Sequence, residues 1–571
     1  MKALSQKRYA SLGPDALVAL WLGVWWVCNL VQAGLSELAN DEAYYHLFAE
    51  HLDWGYFDHP PVTALLVRAG EWLFGPTELG VRFFFTVLQP LYLWILWRLV
   101  RPADADRRDA NLFAMLSAAT LLLQLYGFIA VPDGPLLFSA ALFLFAFDRF
   151  AERRPLAWLW LGAAMALMAY SKYHGALVVL FALAANPRLL RRPGLYGAGA
   201  VALLLLVPHF LWQYRHDWAS FAYHLAGRNS VFKPSYVSDY LANMLVVFNP
   251  FFVPLYVKAW RDTKPQRAVE RALKLLPPAF IGFFLLSSLR GYVQPQWVIV
   301  AVFGMLWALF AYARRHTRTR RYLMRAGGVT LGLLALVRIE MICNPIGLRF
   351  EVFDNAATYG RIAEIADGRP VVFRGSYAVA AKYIFYTGGE AYCQPDIRYR
   401  THHWQFRDDD DRFAGRETLV ECLPAEAPEG QTVELANGRS FSWLVAPEFR
   451  PVRRVEIACE GLPAEVRPGE ELVLDLRLTN PYDREIGTDD GLELAMIWKH
   501  GRFRVEEFGA ELLDGGEGLT IPARGETACT VRLRVPEQLA GETFDAGFAL
   551  RRPGYVHWFN GKPQHVKVTE R

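Results

Sequence analysis

Residues 40–62, "NDEAYYHLFAEHLDWGYFDHPPV", combine five carboxylates with three histidines and two adjacent prolines. The segment follows a hydrophobic stretch, residues 16–36, that contains no charged residue. About 20 apolar residues in a helix cross the roughly 30 Å hydrocarbon core of a bilayer. Because a second long apolar stretch begins near residue 80, this segment is predicted to be a polar loop between the first two spans of a membrane protein.

The composition agrees with a membrane protein that also carries a soluble part. Of 571 residues, 53% are hydrophobic and 14% aromatic. Long apolar runs end near residue 344, and charged residues are more frequent in the remainder. The net charge of +4 is small, and we expect no nucleic-acid partner. The chain is therefore predicted to be a polytopic α-helical membrane protein over residues 1–344, followed by soluble domains.

Apolar segments predict about 11 transmembrane helices. They lie near residues 15–35, 80–100, 110–131, 134–150, 156–171, 173–187, 195–214, 237–257, 273–289, 292–313 and 323–342.

The orientation follows from lysine and arginine, which are enriched in cytoplasmic loops. Alternate loops are strongly basic, as in "RFAERR", "PRLLRR" and "RRHTRTRRYLMR". This places the N-terminus in the cytoplasm, and an odd number of spans places the soluble domains outside. The first span has no small-residue cleavage site, so we expect it to be retained rather than removed as a signal peptide. The predicted location is the cytoplasmic (inner) membrane, with the C-terminal domains in the periplasm.

The loops predicted to lie outside the membrane carry most of the chemistry. "DEAYYHLFAEHL" and "PPVTALLVRAGEWLFG" are predicted to form two amphipathic helices on the membrane surface. Each of the shorter outer loops has polar residues, among them Asp133, Lys172, His174, Arg215, His216, Asp217, Arg228 and Arg290. Lysine and arginine suit a phosphate group, and carboxylates suit proton transfer. Ionisable groups thus converge on one membrane face, where they could meet a lipid headgroup.

Several of these residues also have a structural interpretation. Asp41 and Glu42 follow Asn40 at a helix start, where carboxylates cap the helix and favour its dipole. Asp133 could cap the span that it begins. Lys172 and Arg290 could extend to the interface without binding a ligand. His59 could belong only to a turn beside the two prolines.

Four motifs in these loops resemble those of a known family. "NDEAYY", "GYFDHPPV", "VPDGPLLF" and "SKYHGAL" occur in the order and positions typical of GT-C membrane glycosyltransferases. The chain resembles glycosyltransferase family 39 in particular, which includes protein O-mannosyltransferases and the lipid A aminoarabinose transferase. The resemblance covers about residues 10–345. It differs at Asp58 and His59, where aminoarabinose transferases have a lysine, which argues against aminoarabinose transfer.

The resemblance implies an inverting transfer of a sugar from a polyprenyl-phosphate donor to an acceptor, which would be a glycolipid, a glycan or a protein. The catalytic residues it implies are Asp41, Glu42 and Asp133. The expected substrate-binding residues are Tyr45, Asp58, His59, Lys172, His174, Arg215, Arg228 and Arg290, of which Lys172 and Arg290 would contact the lipid phosphate. No metal ligand is assigned and no cofactor is firmly implied, although a divalent metal stays an open alternative.

Two other functions are considered. An oligosaccharide transferase or ligase would use a pyrophosphate-linked glycan. A transporter or flippase for lipid-linked sugars would carry charges near the midplane on broken helices, with internal repeats. Here the charges gather at one face and no repeat relates the two halves, so the glycosyltransferase is favoured.

The soluble region is predicted to hold two domains. Residues 345–448 contain a strand–turn–helix pattern in "RPVVFRGSYAVAAKYIFYTG", which indicates a small α/β module. Residues 449–571 contain short alternating strands at regular spacing, which is typical of an Ig-like β-sandwich. Cys459 and Cys529 fall on two of these strands, and we predict that they form a disulfide.

The topology is testable with reporter fusions. A reporter that is active only outside the cytoplasm should be active when fused after residue 345 and inactive when fused near residue 265 or 318, because those loops are basic. Enzyme activity of fusions in intact cells is the measurement. Reporter activity at residue 318 would contradict the orientation.

Overall fold

The computed structural model describes residues 12–224, 232–407, 409–487, 491–501, 504–513 and 518–570. The chain forms two compact units, Met1–Phe353 and Asp354–Arg571. Each unit has its own elements and its own core, and each is described separately.

The first unit is helical. Its helices are α1 (Pro14–Leu35), α2 (Asn40–Glu50), α3 (Val62–Phe74), α4 (Glu78–Val100), α5 (Arg107–Ala118), α6 (Leu121–Leu125), α7 (Asp133–Ala151), α8 (Ala157–Ser171), α9 (Gly175–Ala184), α10 (Pro193–Arg215), α11 (Ala219–Ala222), α12 (Pro234–Val247), α13 (Val253–Asp262), α14 (Ala268–Ser288), α15 (Ala301–Arg315) and α16 (Thr317–Cys343).

Five of these helices, within the described residues, are long and apolar enough to cross a membrane: α1, α4, α7, α10 and α16. Helices α8 and α9 are apolar but shorter. The helical membrane region is thus present, while the number of eleven spans stays a prediction.

Two predicted spans are each broken into two helices. The stretch 110–131 is interrupted after α5, and the stretch 237–257 is interrupted between α12 and α13, where Asn249 has a φ of 60°. The Asn249 side-chain amide donates to the Ala119 carbonyl at 2.9 Å and to Thr330 Oγ1 at 3.0 Å. One side chain at the second break therefore satisfies a carbonyl freed at the first, as a break at membrane depth requires.

The first outer helix, α2, differs from the surface helix predicted by its sequence. Its residues Glu42 to Ala49 are all buried, so Glu42 does not belong to a solvated polar face. Helix α3 does expose apolar side chains, with Trp72 83% and Leu65 54% exposed. Only the second of the two helices therefore presents a surface suited to lipid.

Helix α15 forms the centre of the helical unit. Twelve of its 15 residues are buried, and it packs against α14 and α13 as well as against Trp97 and Phe113 of α4 and α5. The ring centroids of Trp97 and Phe310 are 5.9 Å apart, and those of Trp97 and Phe113 are 5.3 Å apart. A helix that is apolar on every side is stable only in such a position.

The second unit begins with a mixed α/β part. Its elements are α17 (Asn355–Ala366), α18 (Tyr377–Thr387) and strands β1 (Val371–Arg374), β2 (Ala391–Gln394), β3 (Thr418–Glu421), β4 (Thr432–Glu434) and β5 (Ser440–Ala446). The sheet order is β2-β1-β3-β5-β4. Strand β1 is parallel to both β2 and β3, and the remaining pairs are antiparallel.

The rest of the second unit is rich in β-strands. They are β6 (Glu456–Cys459), β7 (Glu465–Val466), β8 (Glu471–Thr479), β9 (Ile486–Gly487), β10 (Glu493–His500), β11 (Arg504–Gly509), β12 (Glu511–Leu512), β13 (Thr520–Ile521), β14 (Glu526–Arg534), β15 (Thr543–Arg551) and β16 (Gln564–Val568). One sheet has the order β11-β10-β15-β16-β7, a second has the order β12-β14-β8-β6, and β13 pairs with β9. A single apolar cluster contains residues of both larger sheets, including Leu476 and Trp498. The Ig-like topology and the boundary at residues 448 and 449 stay predictions.

The predicted disulfide between Cys459 and Cys529 is wrong. Both residues lie opposite Leu476, one on each side of strand β8. Neighbouring strands are about 4.8 Å apart, so two strands that flank a third are separated by about 9.6 Å. That exceeds the roughly 7 Å limit between the Cα atoms of bonded cysteines, and the two thiols are not joined.

The packing of α15 against α14 depends on Gly304. A Cβ added there would lie 2.0 Å from the Leu273 carbonyl oxygen and 2.6 Å from Pro277 Cδ, whereas a Cβ added at Gly282 of α14 would meet nothing within 4 Å. We expect Gly304→Ala to lower the unfolding temperature of the purified protein in detergent, because backbone must move. Gly282→Ala should leave that temperature unchanged or raise it slightly, since alanine is the better helix former. Equal melting temperatures for the two variants would contradict the close approach.

Candidate functional site

A buried ion pair joins α2 to α4. Glu42 is fully buried and Arg82 is 1% exposed. Arg82 Nε and Nη2 donate to the two carboxylate oxygens of Glu42, each at 2.6 Å. The same carboxylate accepts the backbone N–H of Ala39 at 2.9 Å and that of Ala130 at 2.8 Å. Glu42 therefore caps its own helix and holds the loop that precedes α7.

The remaining donors of Arg82 cap the end of α1. Nη1 donates to the carbonyls of Ala33 and Ser36, and Nη2 donates to the carbonyl of Glu37 at 2.8 Å. One guanidinium thus fixes the end of α1, the start of α2 and the start of α4. Sequence analysis missed Arg82, although a lone arginine inside an apolar span is itself a signal that a buried partner exists.

A second buried ion pair joins α7 to the end of α8. Lys172 Nζ donates to both carboxylate oxygens of Asp133, at 2.7 and 2.8 Å. Asp133 is 3% and Lys172 7% exposed. Asp133 is the first residue of α7, and Lys172 directly follows α8. The structure therefore brings together two residues that sequence analysis placed in different roles.

Asp41 lies beside this second pair. It occupies the first turn of α2 and is exposed, unlike its neighbour Glu42. Its charge acts on Asp133 and Tyr126 at longer range than the hydrogen-bonded Lys172 acts on Asp133. Two carboxylates and one ammonium group thus share one end of the helical unit.

Three of the predicted binding residues lie in α2 and in the loop between α2 and α3. The Tyr45 ring is buried, and the His59 ring meets it edge-on with centroids 5.5 Å apart. Asp58 is 4% exposed, and its backbone carbonyl lies 3.0 Å from His224 Nε2. These residues line the segment that connects α2 to the paired prolines.

A polar network holds this loop against α10. His209 Nδ1 lies 2.7 Å from the Trp54 carbonyl, and its Nε2 lies 3.2 Å from the Tyr173 hydroxyl. The Gln213 amide donates to the Tyr173 hydroxyl at 3.1 Å and to Ser220 Oγ at 2.8 Å. Sequence analysis did not single out His209 or Gln213, since each lies inside an apolar span.

His174 lies among aromatic rings. Its ring centroid is 5.3 Å from that of Phe284 and 5.1 Å from that of Trp297. The structure thus places it between α9 and α14, beside Lys172 in the chain.

The predicted arginines are less closely associated with the ion pairs. Arg215 ends α10 and Arg290 follows α14, and both are exposed. Within the described residues, neither guanidinium forms a hydrogen bond or ion pair with Asp133 or Lys172. Arg228 lies outside the described residues.

A metal ion has no evident ligand set in the described residues. No group of three or more His, Cys, Asp or Glu side chains is arranged to hold one there. We therefore derive no step through a metal ion.

Comparison with known proteins places this geometry in context. Residues 58–212 match the family described as dolichyl-phosphate-mannose-protein mannosyltransferase. No curated protein matches the chain in sequence. The structure is similar to ArnT from Cupriavidus metallidurans in the apo state, with a TM-score of 0.55, and to the same protein bound to undecaprenyl phosphate, with a TM-score of 0.56. In both cases the identity is 16%, and the match covers 75% of this chain and 97% of the other. The resemblance to GT-C membrane glycosyltransferases of family 39 is confirmed.

The two adjacent carboxylates of α2 should differ in their effect on stability. Glu42→Gln keeps the shape but leaves Arg82 as a buried charge without its anion, which typically costs about 3–5 kcal/mol. Asp41→Asn changes an exposed side chain, and we expect its effect on stability to be within about 0.5 kcal/mol. Thermal unfolding of the purified variants in detergent measures the difference. Equal unfolding temperatures would show that the Glu42–Arg82 pair does not stabilise the fold.

Proposed function

We propose that this chain transfers a sugar from a polyprenyl-phosphate donor to an acceptor hydroxyl, with inversion at the anomeric carbon. The observation that supports this most is the grouping of Asp41 with the buried Asp133–Lys172 pair at one end of the helical unit. A carboxylate and a fixed cation are the two charges that such a reaction needs. The family match and the GT-C fold make a glycosyltransferase the class that best fits them.

Asp41 is the residue that we assign as general base. It is exposed, so an acceptor hydroxyl can reach it. Both oxygens of Asp133 are engaged by Lys172, and both oxygens of Glu42 are engaged by Arg82. We therefore assign Asp133 and Glu42 as positioning residues: Asp133 orients Lys172, and Glu42 orients the helix that carries Asp41.

Lys172 is the cation that we assign to the donor phosphate. Its charge is balanced by Asp133. A phosphate bound beside this pair would bring a second anion to the ammonium group. Arg215 at the end of α10 and Arg290 just after α14 are proposed to add positive charge. Tyr45, Asp58, His59 and His174 are proposed to shape the sugar pocket.

The proposed reaction is a single displacement. The acceptor oxygen forms a bond to the anomeric carbon, and its proton passes to the Asp41 carboxylate. The bond between that carbon and the phosphate oxygen breaks, and its electron pair stays on the phosphate. Lys172 stabilises the charge that develops there, as preorganised cations do for a leaving phosphate. Proton transfer to a positioned base contributes about 10²–10⁴-fold.

The proposed site lies on the extracytoplasmic face of the cytoplasmic membrane. Nucleotide sugars are absent there, which explains why the donor would be lipid-linked. The acceptor is proposed to be a glycolipid, a glycan or a protein in the cell envelope.

Asp41→Asn tests the base. The variant keeps the shape and removes the charge, so we expect it to fold and bind donor but to lose at least about 10²-fold in transfer rate. The measurement is release of polyprenyl phosphate from a panel of polyprenyl-phosphate sugars, with membranes of the native strain as acceptor. Glu50→Gln, at the other end of the same helix, is the matched control and should transfer at a normal rate.

Asp133→Asn discriminates between the two carboxylates. As a positioning residue it should weaken donor saturation more than it lowers the maximal rate. If Asp133→Asn is inactive at saturating donor while Asp41→Asn is nearly normal, the base is Asp133 and our assignment is wrong.

A further inference from the structure

A basic cavity lies at the opposite ends of the helices that form the candidate site. Its volume is about 410 Å³. It is lined by residues of the α7–α8 turn and of the start of α10, namely Phe150, Arg153, Arg154, Trp158, Arg191, Arg192, Pro193 and Gly194. Helix α7 runs from Asp133 at the candidate site to Ala151 beside this cavity, and its 19 residues span about 28 Å. The cavity is therefore on the other membrane face.

The cavity carries a large positive charge. The segments 149–154 and 187–192 contain six arginines and one glutamate. That glutamate, Glu152, pairs with Arg149 and Arg154. Within the described residues, the guanidinium groups of Arg153 and Arg191 form no hydrogen bond or ion pair, and both side chains are exposed. An anion entering the cavity would thus meet two cations that have no competing carboxylate.

The wall of the cavity is fixed rather than mobile. Arg192 Nη1 donates to the carbonyls of Phe150 at 2.8 Å and Ala151 at 3.1 Å, which caps the end of α7. A Cβ added at Gly194 would lie 3.2 Å from the Phe150 ring, so the start of α10 approaches that ring closely. The N-terminus of α10 lies at the same place and favours an anion, and the C-terminus of α7 there is capped by Arg192.

Residues close in sequence to the lining of the cavity expose apolar side chains. Trp160 is 71%, Tyr196 66% and Leu156 60% exposed. Along α10, Leu203 and Leu204 are 59% and 72% exposed, so an apolar surface continues from the cavity toward the middle of the helix. Exposed tryptophan and tyrosine beside basic residues are typical of the membrane interface. A soluble phosphate would use the arginines but not this apolar surface.

We propose that this cavity binds the phosphate headgroup of an anionic phospholipid. The headgroup lies between Arg153 and Arg191 at the start of α10, and the acyl chains lie along the exposed faces of α8 and α10. Guanidinium groups bind phosphate through paired hydrogen bonds, and basic pockets between helices at this position bind acidic headgroups in general. The site is separate from the proposed donor site and does not depend on the transfer reaction.

Native mass spectrometry of the full-length protein tests the proposal. The protein is released from micelles containing equal amounts of phosphatidylglycerol and phosphatidylcholine. We expect a preferred phosphatidylglycerol adduct in the wild type. In Arg153→Gln/Arg191→Gln its affinity should be at least about tenfold weaker, because each basic residue contributes to the attraction for acidic lipid. The single variants Arg153→Gln and Arg191→Gln extend the test if the double variant fails to fold.

Two further variants serve as controls. Arg315→Gln/Arg318→Gln removes two exposed arginines from the α15–α16 connection, which is predicted to lie on the same face, and should bind phosphatidylglycerol within about twofold of wild type. Arg153→Lys/Arg191→Lys keeps the charge and should bind more tightly than the glutamine variant. A uniform loss in all of the charge-removing variants would indicate only general surface charge and would overturn the site.

The remaining outcomes also decide the question. No preference for phosphatidylglycerol over phosphatidylcholine, or unchanged affinity in Arg153→Gln/Arg191→Gln, would overturn the proposal. If excess inorganic phosphate displaces the lipid and stabilises the protein equally well, the site takes a soluble phosphate. If polyprenyl phosphate displaces phosphatidylglycerol from this cavity at lower concentration, the ligand is the carrier lipid and not a phospholipid.

Discussion

The ion pair between Glu42 and Arg82 is the interaction on which the rest of the candidate site depends. It is fully buried, and every oxygen of the carboxylate has a donor. A buried ion pair of this kind adds little to the free energy of unfolding compared with apolar packing, but removing one partner lowers it strongly. Its value here is geometric. It fixes the end of α1, the starts of α2 and α4, and Ala130 ahead of α7.

This constraint explains how two neighbouring carboxylates acquire different environments. Successive residues on a helix point about 100° apart. With Glu42 held inward by Arg82, the neighbouring Asp41 is left exposed. The same Glu42 carboxylate holds the Ala130 N–H, three residues before Asp133. A single buried side chain thus holds the start of α2 next to the loop that precedes α7.

Much of the fold was predictable because it follows from local patterns. The apolar runs predicted α1, α4 and α7, the proline at residue 61 preceded α3, and the strand–turn–helix pattern predicted β1 and α18.

Other features depend on contacts between distant residues, which periodicity does not show. The helix breaks near Ala119 and Asn249 are joined by the Asn249 side chain, although the two residues are 130 positions apart in the chain. The partner of Glu42 is 40 residues along the chain, and the error over Cys459 and Cys529 arose because strand order is not visible in spacing. For the same reason Lys172 and Asp133 were identified singly and not as a pair.

The two ends of the helical unit differ in how their charged side chains are arranged. At the candidate site, the buried cations Arg82 and Lys172 are paired with the buried carboxylates Glu42 and Asp133, as charges in a low-dielectric environment require. Asp41 is exposed at the same end of the helical unit. At the other end, the arginines are exposed and outnumber the carboxylates. Self-repulsion among them is tolerable in water but is relieved by a bound anion. The first arrangement is the basis of the proposed transfer reaction, and the second is the basis of the proposed anionic lipid. Helices α7, α8 and α10 reach both ends of the helical unit. Binding of their basic ends to membrane lipid would therefore also fix the depth at which their other ends lie at the opposite interface. Those ends carry Asp133, Lys172 and Arg215.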